Sequence, residues 1–187
     1  MMKFVRKNRA AYLVMGSLVL SACSNDDDNP LPVNEVEVIT TVTVTLTPEG
    51  GGTAVTLQSR DLDGDGPTPP VIEVSGSLAG NTTYSGSIVL LNETVSPAED
   101  ITEEVAEEDE EHQFFFAFTG PISGVTYADE DGNGNPLGLA FTLTTLTAGP
   151  ATLTITLRHE PKKPNDGSLA DAGGETDVTQ RFDLIVQ

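Results

Sequence analysis

Apolar and polar residues alternate along most of the chain from about residue 35. This alternation runs through TVTVTLTP, AVTLQSR, VIEVSGSL and TTYSGSIVLL. The intervening segments PEGGG, DLDGDGPTPP and LAGN are rich in Gly, Pro and Asp. A period of two with many β-branched residues, bounded by such segments, is typical of β-strands joined by turns. The pattern therefore predicts four strands in residues 35–95.

The same order of parts recurs in residues 112–187. It comprises FFFAFT, VTYAD, LAFTLTTL and ATLTITLRHE, followed by a ninth segment, DVTQRFDLIVQ. We interpret the recurrence as an internal duplication of a four-strand meander; the alternative is that two unrelated meanders share this order by chance. Eight or nine short strands around one core predict an all-β fold, an immunoglobulin-like antiparallel β-sandwich forming a single domain over residues 35–187.

An acidic segment separates the two halves and predicts a short helix. Ser96 and Glu99 have the spacing of a capping box, and Pro97 occupies the first helical position. Ile101 and Val105 are four residues apart in an otherwise acidic stretch. We therefore expect a helix over about residues 97–110 that contacts the sandwich through these two side chains.

The first residues indicate export. A basic start, MMKFVRKNR, precedes the apolar run AAYLVMGSLVL, and Leu20-Ser21-Ala22-Cys23 fits a lipobox. Residues 1–22 are therefore predicted to be a lipoprotein signal peptide, with Cys23 lipidated. An uncleaved anchor helix is disfavoured because the apolar run is shorter than the roughly 20 residues that a span needs.

A polar segment, residues 23–34, follows the lipobox and is predicted to be a disordered acidic tether. Its SNDDDNP sequence resembles the export tag that carries some lipoproteins to the cell surface. We expect a lipid-anchored protein of the outer membrane, displayed on the cell surface or, alternatively, on the periplasmic face.

The charge balance restricts the partners. The chain has 9 basic and 29 acidic residues; loss of the signal peptide leaves 5 basic residues and a net charge of −24. Nucleic acids and anionic lipid surfaces require positive charge and are excluded as expected partners. No nucleophile motif is present and no carboxylate has an apolar setting, so no catalytic residue and no enzyme activity are predicted.

Both histidines are predicted to lie at one edge of the sandwich. In a four-strand meander the start of the first strand, the loop between the second and third, and the end of the fourth share an edge. In the second half the candidate metal ligands lie at these places or, for two of them, just before the first strand. They are His112, His159, Glu160, Glu108, Asp109, Asp129, Asp131 and Asn133. Zinc accepts imidazole together with carboxylate. The alternative is that two surface histidines flank strands without binding a metal.

The equivalent places in the first half hold a second acidic set, Asp61, Asp63, Asp65 and Glu93. Alternating Asp residues followed by Gly resemble the start of a calcium loop, but the twelfth position, where an EF-hand needs Glu, is Ile72. A turn stabilised by Asp and Asn side chains explains the same residues. Calcium binding and plain turn formation both remain open.

Several longer stretches resemble a family of small bacterial lipoproteins often labelled type 1 periplasmic binding fold superfamily proteins. They include ITTVTVTLTPEGGGTAVTLQSRDLDGDG, GSIVLLNET, EEHQFF, DEDGNGNPLG and LRHEPKKPNDGSLADAGGETD. The label implies a longer, two-lobed α/β protein, whereas nothing here alternates strand with helix. The resemblance implies an exported lipoprotein with a link to outer-membrane uptake receptors, and it assigns no catalytic residue.

Two functions follow. The first is a non-enzymatic binding module that captures a divalent cation, zinc or calcium, or a cation-bearing ligand for a TonB-dependent outer-membrane receptor. The second is an adhesion or structural module whose acidic loops are stabilised by calcium or merely form turns.

Overall fold

The structure, a computed structural model, describes residues 37–64 and 66–187. The predicted signal peptide (1–22), the lipidation site Cys23, the tether (23–34) and Asp65 lie outside the described residues. Within the described ranges, no helix has both the length and the apolar character needed to cross a membrane.

Ten strands and two short helices make up the described chain. In chain order they are β1 (Thr41–Pro48), β2 (Val55–Arg60), β3 (Val71–Val74), β4 (Thr83–Asn92), β5 (Glu99–Asp100), α1 (Ile101–Glu107), β6 (His112–Thr119), β7 (Ile122–Tyr127), β8 (Ala140–Thr145), β9 (Gly149–His159), α2 (Leu169–Ala172) and β10 (Glu175–Val186). The nine predicted strands are all present, and the additional one is the two-residue β5.

The strands form two antiparallel sheets. The large sheet has the order β3-β2-β1-β4-β8-β7, with β5 paired to β4, and the small sheet has the order β10-β9-β6. One hydrophobic cluster joins them: Leu46 and Leu90 come from the large sheet, and Phe114, Leu157 and Phe182 from the small one. The predicted all-β sandwich is confirmed, whereas its immunoglobulin-like topology stays a prediction.

The expectation of two meanders is wrong. In the first half β4 pairs with β1, which gives the order β3-β2-β1-β4 of a Greek key. In the second half β6 pairs with β9 and β7 with β8, but β6 and β7 belong to different sheets. The chain changes sheets at Gly120, whose φ of +77° and close contact with the Pro150 carbonyl oxygen exclude a side chain. Pairing of the first strand with the fourth, and of the second with the third, is common to both halves.

The helix between the halves is shorter than predicted. It begins at Ile101, and the Asp100 side chain caps it by accepting a hydrogen bond of 3.0 Å from the Thr102 amide. Glu99 and Asp100 pair with β4 and are therefore extended, so Ser96 cannot start the helix. Ile101 and Val105 are buried, and they fix α1 on the sandwich as the apolar spacing predicts.

Candidate metal centre

Side chains from four separate segments meet at one end of the sandwich. Glu37 precedes β1, His112 begins β6, His159 ends β9 and Asp177 lies in β10. One ligand atom from each lies within 4.8 Å of those of the other three. Their side chains are 6%, 0%, 8% and 4% exposed, in the same order. We call these four residues the inner cluster.

Strand register places the two histidines together. His112 and His159 are directly opposite each other in the β6–β9 pair, so their side chains project to the same face. Two residues further along, Phe114 opposes Leu157, and both are fully buried in the core. The imidazoles therefore form the last layer of the core, and their rings stack with centroids 4.7 Å apart.

A β-bulge brings in Asp177. Thr176 pairs with Arg158 and Val178 with Leu157, which leaves Asp177 as the extra residue of β10. Such a bulge locally redirects a side chain. Here Asp177 Oδ2 lies 4.0 Å from His112 Nε2.

The hydrogen bonds of His112 define the state of its ring. Nδ1 donates to the Glu108 carbonyl oxygen at 3.2 Å, because a carbonyl oxygen can only accept. Nε2 lies 2.9 Å from Glu37 Oε1. Nε2 therefore either carries a second proton, which makes the ring an imidazolium, or presents its lone pair to a cation beside Glu37. Metal-binding histidines are commonly anchored in this way through the other ring nitrogen.

Each of the two carboxylates in the inner cluster has one oxygen atom that lacks a hydrogen-bond donor among the described residues. Glu37 Oε2 and Asp177 Oδ2 are buried and accept no hydrogen bond from the residues that the structure describes. Burial, followed by the charge of Glu37, raises the pKa of Asp177 to about 6, although His112 and His159 act in the opposite direction. A buried carboxylate without a partner is costly. A bound cation would compensate both oxygen atoms.

A second group adjoins the inner cluster on the solvent side. Glu111, His159 and Glu160 also have ligand atoms within 4.8 Å of one another. Glu111 Oε2 lies 3.7 Å from His159 Nε2. Both carboxylates are exposed, the Glu111 side chain by 60%. We call these three residues the outer triad. His159 belongs to both groups, and either arrangement of imidazole and carboxylate groups can hold a metal ion.

The candidates Glu108 and Asp109 lie close by but do not supply carboxylates to the inner cluster. Glu108 follows the last residue of α1, and it contributes its carbonyl oxygen instead. The Asp109 carbonyl oxygen accepts a 2.6 Å hydrogen bond from Lys163 Nζ.

In the loop between β7 and β8, Asp129 and Asp131 bond mainly to the loop's own residues and those that directly follow it. Asp129 accepts from the amides of Gly138 and Ala140. Asp131 accepts from the Asn133 amide, from the amide and side chain of Asn135, and from Lys163 Nζ. Burial alone would raise the pKa of Asp131, but these hydrogen bonds, led by those from Asn135, lower it to about 2. The loop therefore has the bonding of a capped turn.

Members of the second acidic set, in the first half of the chain, also bond to neighbouring residues. Asp63 accepts a 3.2 Å hydrogen bond from the Thr68 amide, and Glu93 forms an ion pair with Arg60 at 2.6 Å. Asp61 Oδ1 is buried and has no hydrogen-bond partner in residues 37–64 and 66–187. No group of three ligands forms here among the residues that the structure describes.

Sequence reasoning missed Glu37 and Asp177. The core side of β10 carries Phe182, Leu184 and Val186, so simple alternation places Asp177 on the outer face; the bulge reverses this. Glu37 lies before β1, where no strand pattern determines the direction of its side chain.

In three comparisons, no family model, curated protein or solved structure matches the chain. Its geometry alone therefore carries the functional argument.

Proposed function

We propose that the protein is an exported, lipid-anchored β-sandwich that binds a divalent transition-metal ion, zinc foremost, in the inner cluster. The observation that carries this proposal is a pair of buried oxygens, Glu37 Oε2 and Asp177 Oδ2, which have no partner among the described residues and lie beside two stacked imidazoles. The ion would replace the missing partners of both carboxylates. It would also use the lone pair of His112 Nε2.

The chemistry of the four side chains favours zinc over calcium. Calcium takes six to eight oxygen ligands, whereas zinc takes about four ligands and accepts imidazole nitrogen as well as carboxylate oxygen. The inner cluster offers two of each kind. Four protein ligands leave no open position for a reacting water, which supports binding rather than catalysis.

The short chain length between Glu37 and the predicted lipid anchor supports a role in uptake near the membrane. Glu37 is 14 residues from Cys23, and an extended chain of that length reaches at most about 50 Å. An ion held by Glu37 would thus stay within that distance of the lipid anchor. We propose that a TonB-dependent outer-membrane receptor receives the ion or its carrier.

Zinc binding is tested on the metal-stripped mature protein. Titration calorimetry and competition with a chromophoric chelator should show one tight zinc ion per chain and little heat with calcium. Replacing both histidines (His112→Ala, His159→Ala) should abolish the tight site, and Glu37→Gln should weaken it at least about tenfold. Glu103→Gln, an exposed change in α1, is the matched control for Glu37→Gln and should bind as the wild type does. Unchanged zinc affinity in the double histidine variant, or none in the wild type, would refute the proposal.

The second candidate function is an adhesion or structural module with turn-forming acidic loops. The internal hydrogen bonds of Asp131 favour turn formation in the loop between β7 and β8. In that case, neither zinc nor calcium should change the melting temperature. A rise with calcium alone would instead indicate a site at the Asp61 loop.

A further inference from the structure

We propose that the outer triad is the loading position of the inner cluster: a divalent cation binds first to Glu111, His159 and Glu160, and then exchanges the two exposed carboxylates for buried ligands. This inference rests on the proposed function and deepens it, because it names the residues that control how fast the ion enters and leaves.

The inner ligands are buried, so an ion needs a route to reach them from solvent. The side chains of Glu37, His112 and Asp177 are at most 6% exposed, so a hydrated ion cannot reach them directly. His159 is the residue common to both groups of ligands. A cation that passes from the outer to the inner position therefore keeps one imidazole ligand while its carboxylate ligands change.

His159 is free to act in this way. Its side chain is 8% exposed, and neither ring nitrogen makes a hydrogen bond to any residue that the structure describes. Its Nε2 lies 3.7 Å from Glu111 Oε2, and the imidazole is positioned between one set of exposed and one set of buried carboxylates. Imidazole and carboxylate groups in this arrangement are suitable ligands for a transition-metal ion.

The outer triad is held in place by the backbone. The Glu160 amide donates a 2.7 Å hydrogen bond to the Glu111 carbonyl oxygen, which joins the segments before β6 and after β9. Gly174 packs against the carbonyl of His159 with no room for a side chain. The acidic run that ends in Glu111, residues 107–111, adds negative charge that attracts cations to this end.

Stopped-flow transfer of zinc from a weak chromophoric chelator tests the route. In the double variant Glu111→Gln, Glu160→Gln, the association rate should fall at least about fivefold. The dissociation rate into excess chelator should fall by a similar factor, because a loading position lies on the path in both directions. The equilibrium affinity should then change by less than about twofold.

The matched control is the double variant Glu107→Gln, Glu110→Gln. It removes the same total charge, here from the neighbouring acidic run, but leaves the outer triad intact, so its rates should stay within about twofold of the wild type. Rates in the triad variant equal to those in the control would overturn the loading role, and so would a faster dissociation with unchanged association. A wild type that takes up zinc normally in those cases leaves the proposed function standing. A wild type that takes up none overturns both.

Discussion

Replacing Asp177 by Asn should stabilise the metal-free protein while weakening its zinc binding. The Asp177 carboxylate is buried next to the negative Glu37, and its Oδ2 accepts no hydrogen bond within the described ranges of the chain. An amide of nearly the same shape removes the buried charge. We therefore expect opposite effects on stability and on affinity from one isosteric change.

The size of the stabilisation follows from the pKa of Asp177. It rises from 3.8 to about 6 on folding, and each pKa unit corresponds to about 1.4 kcal/mol. Because the folded-state pKa is raised, the ionised Asp177 carboxylate destabilises the fold. This cost is absent well below pH 3.8, grows between pH 3.8 and about 6, and is complete above that pH. Asp177→Asn should thus gain up to about 3 kcal/mol at pH 8 and roughly half of that at pH 5.

Urea unfolding followed by far-UV circular dichroism, with a chelator present, measures this gain at both pH values. Asp183→Asn is the matched control: it makes the same chemical change in the same strand, but at a side chain that is 79% exposed. Its free energy of unfolding should differ from that of the wild type by less than about 0.5 kcal/mol.

Zinc should narrow the difference in stability between the two proteins. At a free concentration of about 100 times Kd, the wild type gains about 2.7 kcal/mol, and the Asn variant gains less because it binds more weakly. The reasoning is refuted if metal-free Asp177→Asn is no more stable than the Asp183→Asn control at pH 8. It is also refuted if zinc stabilises the Asn variant as much as the wild type.

Three further changes test the fold around the site by urea unfolding. Lys163→Met should cost about 2 kcal/mol at pH 7, because it removes the cation from buried Asp131. That cost should shrink as the pH falls from 3.8 towards 2, since the lowered pKa of Asp131 contributes its full stability only above pH 3.8 and loses it through this range. Gly86→Ala should cost about 1 to 3 kcal/mol, because the new methyl group would overlap the Phe141 ring. Asp100→Ala should cost about 1 kcal/mol through loss of the α1 cap.

Each of these changes has a control of the same type. Lys162→Met removes an exposed lysine paired with Asp171 and should cost less than about 1 kcal/mol. Gly124→Ala adds a methyl group in open space and should be nearly neutral. Ser96→Ala should leave stability unchanged, since the helix begins at Ile101. A control that costs as much as its partner would contradict the corresponding assignment.

The strands were predictable because each carries its own signal. In β1, for example, Val42, Val44 and Leu46 alternate with threonine and face the core. The sheet to which a strand belongs is not encoded in this way. Alternation is satisfied equally by β6 in either sheet, and only packing of the whole chain decides between a meander and the observed crossing at Gly120.

The site was predictable only where strand register determined it. An antiparallel pair brings the start of one strand to the end of the other, which is why His112 and His159 meet. The carboxylates could not be chosen from sequence distance. Asp131 was a candidate, but its oxygens accept hydrogen bonds from Asn135 and Lys163, whereas Asp177 reaches the site through a bulge that has no sequence signature.

The inner cluster opposes the stability of the sandwich that holds it. Apolar side chains at the same end would extend the layer formed by Phe114 and Leu157, and replacing buried charges by apolar groups is often stabilising. The carboxylates of Glu37 and Asp177 instead leave two oxygens without partners in the part of the chain that the structure describes. Local departures from good folding design tend to coincide with function. A bound cation would compensate this departure, so affinity and metal-free stability should change in opposite directions across substitutions of these two carboxylates.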